Sequence, residues 1–459
     1  MLLRLQVQGF KNLRDIDVRF GPLTCFVGRN GVGKSNIFDA IQFLRLLSER
    51  EIQQAAEAVR SPTLGVLGPL DLFPDIDRTT TMRFVADLLV PRTVIDDFGE
   101  EAEPSTNLLR YAISFRYAHE PRPRLELLEE ELIPLRKGDA RKVLGFPHTP
   151  RFRESAVKGS ARKGLFISTS EKDDGRKEIM LHQDGGSRGR PVNPGNSPRT
   201  VLGGTNTKDY PTVLAARREM SSWHSLQLEP SSLRSPDQLG SIEHVSEHGA
   251  HIASTLLRLA RERDGSRVYA DAANRLSELV PETRELRVDE DLARQQLTVQ
   301  VKLAGSEEWY GPRAISDGTL RFLALVIMQM DYGGGRVLCM EEPENGIHPF
   351  GVSAMVRLLR DFAVDPELEL AEDNPPRQVV LNSHSADVLR QLSRAEVLFV
   401  ERIDSRSGAA AAVSPVEGSW REQDLTVTLD RLQELMGGAP EDEECWPQLV
   451  LPYESRSRR

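Results

Sequence analysis

Cysteine is scarce in this sequence, with three residues in a chain of 459. So few thiols exclude the class of small secreted domains that depend on a disulfide framework. No apolar run approaches the ~20 residues that a membrane-spanning helix needs. Basic residues near the start of the chain are not followed by the apolar stretch of a signal peptide. These absences predict a cytoplasmic protein that has no membrane partner.

Acidic residues outnumber basic residues overall. The chain has 59 Lys and Arg residues and 69 Asp and Glu residues, which gives a formal net charge of −10. That balance argues against indiscriminate coating of nucleic acid. The distribution is uneven, however, since residues 136–199 carry fifteen basic and seven acidic residues, a local charge of +8. Such a segment is either a DNA contact surface or a solvated polar insertion, and the sequence leaves both readings open.

The clearest chemical signal is a glycine loop with the pattern G-x-x-x-x-G-K-S. The loop and the position after it comprise Gly28, Arg29, Asn30, Gly31, Val32, Gly33, Lys34, Ser35 and Asn36. An apolar run at 23–27 predicts a strand before the loop, and apolar residues at helical spacing over 37–47 predict a helix after it. In this context backbone N–H groups surround a phosphate chain, Lys34 adds a charge beside the β- and γ-phosphates, and the Ser35 hydroxyl binds Mg²⁺. The loop predicts a site for ATP and Mg²⁺.

Two carboxylates follow the apolar strand predicted at 337–340. Ligands of parallel sheets lie at the carboxyl ends of the strands. We therefore expect Glu341 to hold the Mg²⁺ hydration shell and Glu342 to orient or deprotonate the attacking water. The next predicted strand ends in N-S-H-S, where His384 would contact the γ-phosphate through a hydrogen bond. Glu342, His384 and Lys34 are the predicted catalytic residues of an ATPase.

Strands and helices alternate on both sides of a less regular middle. Alternation of apolar and polar residues predicts antiparallel strands at the N-terminus. After about residue 297, strands separated by helices predict a mostly parallel sheet, so the expected fold class is α/β with a basic, helical lobe inserted. The predicted divisions are 1–135 for the first part of a nucleotide-binding head, 136–205 for a basic, Gly/Pro-rich insertion, 206–285 for a helical lobe, 286–410 for the second part of the head and 411–459 for a C-terminal extension.

The order of these motifs resembles that of ATP-binding-cassette ATPases of the RecF/SMC/OLD-like group, a compact AAA ATPase type that is frequent in bacterial anti-phage defence operons. The matching segments are Gly9-Phe10-Lys11-Asn12-Leu13, residues 28–36, Ile315-Ser316-Asp317-Gly318-Thr319-Leu320-Arg321, residues 341–349 and Ser383-His384-Ser385. The resemblance implies an ABC-type ATPase head. It also implies that Ser316 and Gly318, in the S-x-G signature, cap the γ-phosphate of ATP bound to a second copy, so that the chain forms a homodimer or a higher homo-oligomer.

The sequence departs from this resemblance at the metal site. Glu341 stands where many of these ATPases have Asp, and no glutamine occurs between Gln54 and Gln183. A lid glutamine that helps to bind Mg²⁺ therefore has no obvious counterpart, and the second protein ligand of the metal is not identified.

A nuclease domain often follows the ATPase in OLD-like relatives, but 75 residues follow His384 here. The strand near 397–401 resembles the opening strand of such a domain, yet Arg402 takes the place of the expected glycine and no later D-x-D pair occurs. We therefore expect ATP hydrolysis, and no nuclease activity, from this chain.

Three functions remain open. The first is an ATP-hydrolysing switch whose paired heads control DNA engagement through segment 136–199, or control a separate effector such as a nuclease or toxin, in anti-phage defence. The second is an ATP-stabilised scaffold that sequesters a toxic effector. The third is a RecF-like DNA repair clamp, for which salt-sensitive DNA binding would be the distinguishing property.

Overall fold

The computed structural model describes residues 1–59, 68–74, 81–119, 123–159, 164–173, 176–185, 189–194, 197–241, 244–333, 335–405, 408–421 and 426–428. Within these ranges, every helix is too short or too polar to cross a lipid bilayer.

Strands and helices occupy both halves of the chain. The strands are β1 (Leu2–Phe10), β2 (Leu13–Arg19), β3 (Leu23–Val27), β4 (Thr81–Leu89), β5 (Val94–Ile95), β6 (Glu101–Ala102), β7 (Leu108–Ala118), β8 (Arg124–Pro134), β9 (Ile167–Glu171), β10 (Lys177–Leu181), β11 (Arg190–Val192), β12 (Trp223–Leu226), β13 (Asp237–Gln238), β14 (Thr283–Asp291), β15 (Gln296–Leu303), β16 (Trp309–Tyr310), β17 (Val337–Glu341), β18 (Gln378–Ser383), β19 (Val397–Ser405) and β20 (Gly408–Pro415). The helices are α1 (Lys34–Leu47), α2 (Ile52–Ala58), α3 (Ala140–Leu144), α4 (Pro150–Ala156), α5 (Pro211–Ser221), α6 (Pro230–Arg234), α7 (Ile252–Glu262), α8 (Gly265–Ser277), α9 (Asp317–Met330), α10 (Pro349–Phe362) and α11 (Ala386–Gln391).

An antiparallel sheet has the strand order β11-β10-β9-β8-β7-β4-β1-β2. Apolar and polar residues alternate along it, as in β1, where Val7 is buried and Gln8 is exposed. One face therefore packs on the core while the other meets solvent. On the buried face, the ring centroids of Phe10 and Phe84 are 5.4 Å apart and those of Phe43 and Phe84 are 5.6 Å apart. Because Phe43 belongs to α1, these contacts hold α1 against the sheet.

The central sheet has the strand order β12-β17-β18-β3-β19-β20. Its first five strands are parallel, and β20 runs antiparallel to β19. Strands β3, β17 and β18 are buried almost throughout, which is typical of a parallel sheet covered on both faces. Val27 pairs with Ser383, and Glu341 pairs with Asn382. The loops that follow β3, β17 and β18 therefore meet at one edge of the sheet.

A smaller sheet of β13, β14, β15 and β16 lies beside the helices of the C-terminal half. Leu256 of α7, Leu323 of α9 and Met355 of α10 belong to one buried apolar cluster with Leu338 of the central sheet. This cluster fixes α9 and α10 against the central sheet, and it thereby positions the residues at the start of each helix.

The structure confirms the α/β fold class, with antiparallel strands at the N-terminus and a parallel central sheet. It differs from the sequence prediction in the middle of the chain. Strands β9 to β11, within the predicted insertion, extend the antiparallel sheet beyond β8. In β9 and β10 the buried residues are Ile167, Ile179 and Leu181, so the apolar alternation is too sparse to identify strands.

The predicted helical lobe contains one strand of the central sheet. Trp223–Leu226 forms β12, which pairs in parallel with β17. Four residues are too few to establish a period of two, and strong helical patterns surround them. At the other end, β20 continues to Pro415, beyond the predicted boundary at 410, while residues 429–459 of the predicted C-terminal extension lie outside the described residues.

Candidate nucleotide-binding site

The glycine loop joins β3 to α1 at the edge of the central sheet. Helix α1 begins at Lys34, and Gly33 before it has a φ of 116°. A side chain at Gly33 would be strained, and its Cβ would lie 2.5 Å from Asn12 Nδ2. Residues 29–31 are exposed, whereas Val32 is buried in the core. The loop is thus anchored at its second half and open to solvent at its first half, where a phosphate chain could enter.

Lys34 is buried, and its ammonium group lies inside the loop. Nζ donates hydrogen bonds to the carbonyl oxygens of Gly28 and Arg29, at 2.6 Å and 2.9 Å. Burial lowers the pKa of Lys34, while the carboxylates of Glu342 and Glu341 favour its charged form. A phosphate group in the loop would offer this ammonium a charged acceptor in place of two neutral carbonyls. The residues present therefore fit a bound triphosphate.

Asn12 connects the first hairpin to the glycine loop, a role that sequence reasoning missed. Its Nδ2 donates to the carbonyl oxygen of Val32 at 3.1 Å, and its Oδ1 accepts from Asn36 Nδ2 at 2.7 Å. The carbonyl oxygen of Asn12 also accepts the backbone N–H of Ala411 in β20. The sequence identifies this segment only through its resemblance to the family, because no local pattern shows that a turn between β1 and β2 reaches the loop.

Ser35 and Glu341 meet although they lie 306 positions apart in the chain. The Ser35 hydroxyl donates to Glu341 Oε2 at 2.5 Å, and Asn382 Nδ2 lies 3.3 Å from the same oxygen. A hydroxyl and a carboxylate are oxygen donors of the kind that Mg²⁺ prefers, and Mg²⁺ in nucleotide sites completes its shell with phosphate oxygens and water. The described residues contain no cluster of three or more His, Cys, Asp or Glu side chains suited to a metal. Ser35 and Glu341 therefore fit a metal carried in with the nucleotide.

Glu342 lies at the centre of a hydrogen-bond network. Its Oε1 is 2.9 Å from His384 Nδ1, and its Oε2 accepts from Asn345 Nδ2 at 2.8 Å. Its backbone N–H donates to the carbonyl oxygen of Asn382 at 3.0 Å, and its φ of 48° is unusual for a residue other than glycine. Strained backbone of this kind persists where surrounding contacts enforce it. The network holds one carboxylate between two polar side chains, and Asn345 is a member that sequence reasoning missed.

Glu344 links the segment after β17 to the segment after β18. Ser383 Oγ donates to Glu344 Oε1 at 2.5 Å and accepts the backbone N–H of Ser385 at 3.0 Å. Burial raises the pKa of Glu344, and the hydrogen bond from Ser383 opposes that rise. Since Ser383 and Ser385 flank His384, Glu344 helps to fix the position of the imidazole.

The S-x-G signature lies at the start of α9. Ser316 is the N-cap residue, and its hydroxyl accepts the backbone N–H of Thr319 at 3.2 Å. Gly318 packs directly on the segment after β17, because a Cβ on it would lie 2.1 Å from the carbonyl oxygen of Gly346. Arg321 Nη1 also donates to the carbonyl oxygen of Asn345 at 2.7 Å. The structure therefore brings the signature beside residues 345–346, which belong to the same loop as Glu342.

Two protein-family models match this chain. One, described as "AAA domain, putative AbiEii toxin, Type IV TA system", matches residues 225–390, and the other, described as "AAA ATPase domain", matches residues 1–77. The first range contains the signature, both carboxylates and His384, and the second contains the glycine loop. The chain contains AAA-type ATPase domains and is similar to ATPases of the RecF/SMC/OLD-like group.

Curated relatives of this ATPase match it over short segments. An OLD nuclease of Thermus scotoductus is 54% identical over 44 residues, which is 10% of this chain and 8% of the relative. The DNA replication and repair protein RecF of Phocaeicola vulgatus is 40% identical over 45 residues, which is 10% of this chain and 12% of the relative. The RecF protein of Lactobacillus acidophilus is 49% identical over 43 residues, which is 9% of this chain and 12% of the relative. The matches thus span about an eighth or less of each relative's length.

Solved structures similar to this ATPase include SMC head domains. The SMC head bound to the C-winged helix domain of ScpA has 13% sequence identity and a TM-score of 0.47, with 91% of this chain and 98% of that chain covered. The SMC head domain from Thermotoga maritima has 14% identity and a TM-score of 0.37, with 91% and 99% covered. Both TM-scores are below 0.5. The description of this chain's fold therefore depends on its own strand order and not on these neighbours.

Proposed function

We propose that this ATPase is a switch that binds ATP with Mg²⁺, closes with a second copy around the nucleotides, and reopens when ATP is hydrolysed. ATP occupies the loop at 28–36, where Lys34 pairs with the β- and γ-phosphates. Ser35 and Glu341 hold Mg²⁺, which when bound neutralises phosphate charge. The contact that carries this proposal is the 2.5 Å hydrogen bond between Ser35 and Glu341, because it joins the phosphate loop to the acidic segment.

Glu342 acts as the base in the proposed hydrolysis. Its carboxylate accepts a proton from water while the water oxygen bonds to the γ-phosphorus, and the bond from that phosphorus to the β–γ bridging oxygen breaks to release ADP and phosphate. The hydrogen bond to His384 orients Glu342, and in this proposal the imidazole also contacts the γ-phosphate. Both side chains are partly exposed, at 32% for Glu342 and 46% for His384, so water and phosphate can approach them.

Closure of the dimer follows from the position of the signature. Ser316 is exposed at the N-terminus of α9, where backbone N–H groups can donate hydrogen bonds to an anion, and the family resemblance assigns that anion to the partner copy's γ-phosphate. The contacts between the signature and the partner copy's γ-phosphate exist in the closed form alone, so hydrolysis removes the difference in binding energy that favours closure.

Turnover by Glu342→Gln tests the proposed function. We expect this variant to bind ATP and to slow steady-state turnover by roughly 10²–10⁴-fold, the loss typical of a missing general base. Lys34→Ala is expected to weaken ATP binding itself. Glu307→Gln is a matched control, because it removes a carboxylate whose side chain is 97% exposed on another part of the chain. Unchanged turnover in Glu342→Gln would remove Glu342 from its role, and absence of ATP binding by the wild-type protein would overturn the proposal.

As the output of this switch we propose control of a separate toxic effector in prokaryotic anti-phage defence. The model matching 225–390 names a toxin of a toxin–antitoxin system in its description, and an OLD nuclease is among the relatives. Light scattering with and without ATP distinguishes a switch from a scaffold that sequesters the effector. Assembly that requires ATP supports the switch, whereas an assembly that persists without nucleotide supports the scaffold.

DNA engagement is a second candidate, favoured by one surface. The exposed basic side chains of this surface are those of Arg136, Lys137, Arg141, Lys142 and Arg151, and in the described part of the chain none of them forms an ion pair. Neutralising Arg136, Lys137, Arg141 and Lys142 should abolish salt-sensitive DNA binding if this surface contacts phosphates. DNA binding that survives the substitutions would exclude this surface.

A further inference from the structure

A cleft lies at the edge of the central sheet opposite the candidate nucleotide-binding site. Among its lining residues, Leu23 begins β3, and Arg377 and Glu396 directly precede β18 and β19. The cleft is therefore at the amino ends of these parallel strands, whereas the nucleotide-binding site is at their carboxyl ends. Its volume is about 700 Å³. Ligand clefts commonly measure about 300–1,000 Å³, so this one can receive several side chains of a peptide segment.

Apolar and aromatic side chains from separate segments of the chain line this cleft. Five of them are Phe146, Tyr332, Phe362, Leu368 and Trp420. Leu368 is 56% exposed and Tyr332 is 46% exposed, so the fold leaves apolar surface of both in water. Grooves lined by aromatic side chains bind extended segments that contain proline, because such segments are already restricted in conformation. The lining therefore favours a peptide with apolar and proline residues.

The walls of the cleft are held in place by polar contacts. The backbone N–H of Thr149 donates to the carbonyl oxygen of Pro366 at 3.0 Å, which joins two segments that line or flank the cleft. Arg360 donates to both carboxylate oxygens of Glu396, at 2.9 Å and 3.0 Å. A cleft that is already formed requires little reorganisation when it binds a ligand.

One side of the cleft carries negative charge. Residues 365–373 contain five acidic residues and no basic residue. The five are all exposed, and they are Asp365, Glu367, Glu369, Glu372 and Asp373. Within the described ranges, none of these carboxylates forms an ion pair. They therefore attract an occupant that has basic residues next to its apolar part.

The last described residues of the chain pass along this cleft. Trp420 lies in its wall, where Nε1 donates to the carbonyl oxygen of Ala395 at 3.1 Å. Val427 then forms a parallel bridge with Val416, so the chain is still close to Trp420 at this point. Trp446 follows Val427 by 19 positions. An extended chain of that length spans up to about 65 Å, so the C-terminal segment can reach the cleft.

The sequence of the C-terminal segment complements the cleft. Residues 446–453 read W-P-Q-L-V-L-P-Y, which combines apolar and aromatic side chains with two prolines. Residues 456–459 then contain three arginines. The apolar part matches the lining of the cleft, and the basic part matches the acidic residues of 365–373.

We propose that residues 446–453 dock in this cleft within the same chain, with Arg456, Arg458 and Arg459 beside the acidic residues of 365–373. Docking removes the aromatic and leucine side chains of the segment, and the apolar lining of the cleft, from water. Because the segment is tethered close to the cleft, docking within one chain has the advantage of a high effective concentration over a separate partner. The docking does not use the nucleotide-binding site, so it is tested without ATP.

The test uses the native thiol of Cys445, which immediately precedes the proposed docking segment. The other two native cysteines, Cys25 and Cys339, are buried. In a Leu368→Cys variant of the full chain, a short bis-maleimide should join positions 445 and 368 within one copy at low protein concentration. Mass spectrometry of the digested product identifies the joined peptides, and a denaturing gel separates links within one copy from links between two.

Two substitutions in the segment distinguish docking from chance encounter. Trp446→Ser removes its largest apolar side chain, and Gln448→Ser removes a polar side chain two positions away. We expect Trp446→Ser to slow the link between positions 445 and 368 by roughly tenfold, and Gln448→Ser to leave it unchanged. Leu292→Cys is a control for position, because Leu292 is 72% exposed between β14 and β15. Its link to position 445 should not be slowed by Trp446→Ser.

The charge contact has its own test. Replacing Arg456, Arg458 and Arg459 by serine should slow the link at low salt and have less effect at high salt, because salt screens exposed charges. No effect at low salt would contradict the contact with residues 365–373. Equal rates for Trp446→Ser and Gln448→Ser would overturn the docking itself. A link found between two copies instead of within one would also overturn it, because the occupant would then be a second copy.

Discussion

Glu130 of β8 gives the head a dependence on pH that one isosteric substitution should remove. Its side chain is fully buried. The carboxylate accepts the backbone N–H groups of Val201 and Leu202, at 2.6 Å and 2.8 Å, and the hydroxyl of Tyr111 at 3.0 Å. Burial raises the pKa of Glu130 from 4.5 to about 7, although these three donors oppose the rise.

The sign of the effect follows from proton binding. Between pH 4.5 and about 7 the folded protein keeps a proton on Glu130 that the unfolded chain has already released. The free energy of unfolding must therefore fall as the pH rises through this window. At 1.36 kcal/mol per pKa unit, the change from 4.5 to about 7 corresponds to a loss of about 3 kcal/mol.

Glu130→Gln keeps the shape of the side chain and cannot ionise, so it should not show this loss. The assay is urea unfolding followed by circular dichroism at about pH 5 and about pH 8. Wild-type protein should lose about 3 kcal/mol more than Glu130→Gln between these conditions. Glu131→Gln, the neighbouring position whose side chain is not fully buried, serves as the control and should follow the wild type. If the free energy of unfolding changed equally with pH in Glu130→Gln and in the wild type, the reasoning would be refuted.

Two further predictions concern packing at the site and in the core. Gly318→Ala should abolish ATP-dependent dimerisation while the monomer still binds ATP, because the new Cβ would collide with the carbonyl oxygen of Gly346 and displace the start of α9. Equal dimerisation in light scattering would contradict this. Burial raises the pKa of the Cys25 thiol well above its usual range and that of Cys339 to about 12. In a Cys445→Ser variant both native thiols should therefore resist a thiolate-specific reagent at about pH 8 and react after unfolding in urea. Fast reaction of the native variant would be the opposite result.

Some parts of the candidate site lie within a single short segment of the chain. Local sequence patterns are sufficient to predict these parts. The strand, glycine loop and helix at 23–47 are visible because apolar periodicity and a fixed spacing coincide there. Glu341 and Glu342 follow an apolar strand, and parallel topology brings that strand beside β3. The glycine loop and the two carboxylates are recognisable from the residues next to them in the chain. Their functional meaning follows from the rule that ligands bind at the carboxyl ends of parallel strands.

Contacts between distant segments could not be predicted in this way. Asn12 reaches the glycine loop because β1 and β2 belong to a sheet that packs on α1, which is a property of the assembled core. Asn345 bonds to Glu342 because the backbone turns sharply after β17, with a φ of 48° at Glu342 itself. Strand β12 was missed for a related reason, since its place beside β17 depends on pairing rather than on its own four residues.

The central claim is that each ATP site is completed by the signature of a second copy, and mixing two inactive variants tests it most directly. Lys34→Ala disables the glycine loop, and Ser316→Arg disables the signature, so each variant alone should have little ATPase activity. In a mixed dimer, the glycine loop of the Ser316→Arg copy would face the intact signature of the Lys34→Ala copy. An equimolar mixture should therefore recover about a quarter of wild-type activity, because about half of the dimers are mixed and each has one intact site. A mixture as inactive as its separate components would contradict the shared site.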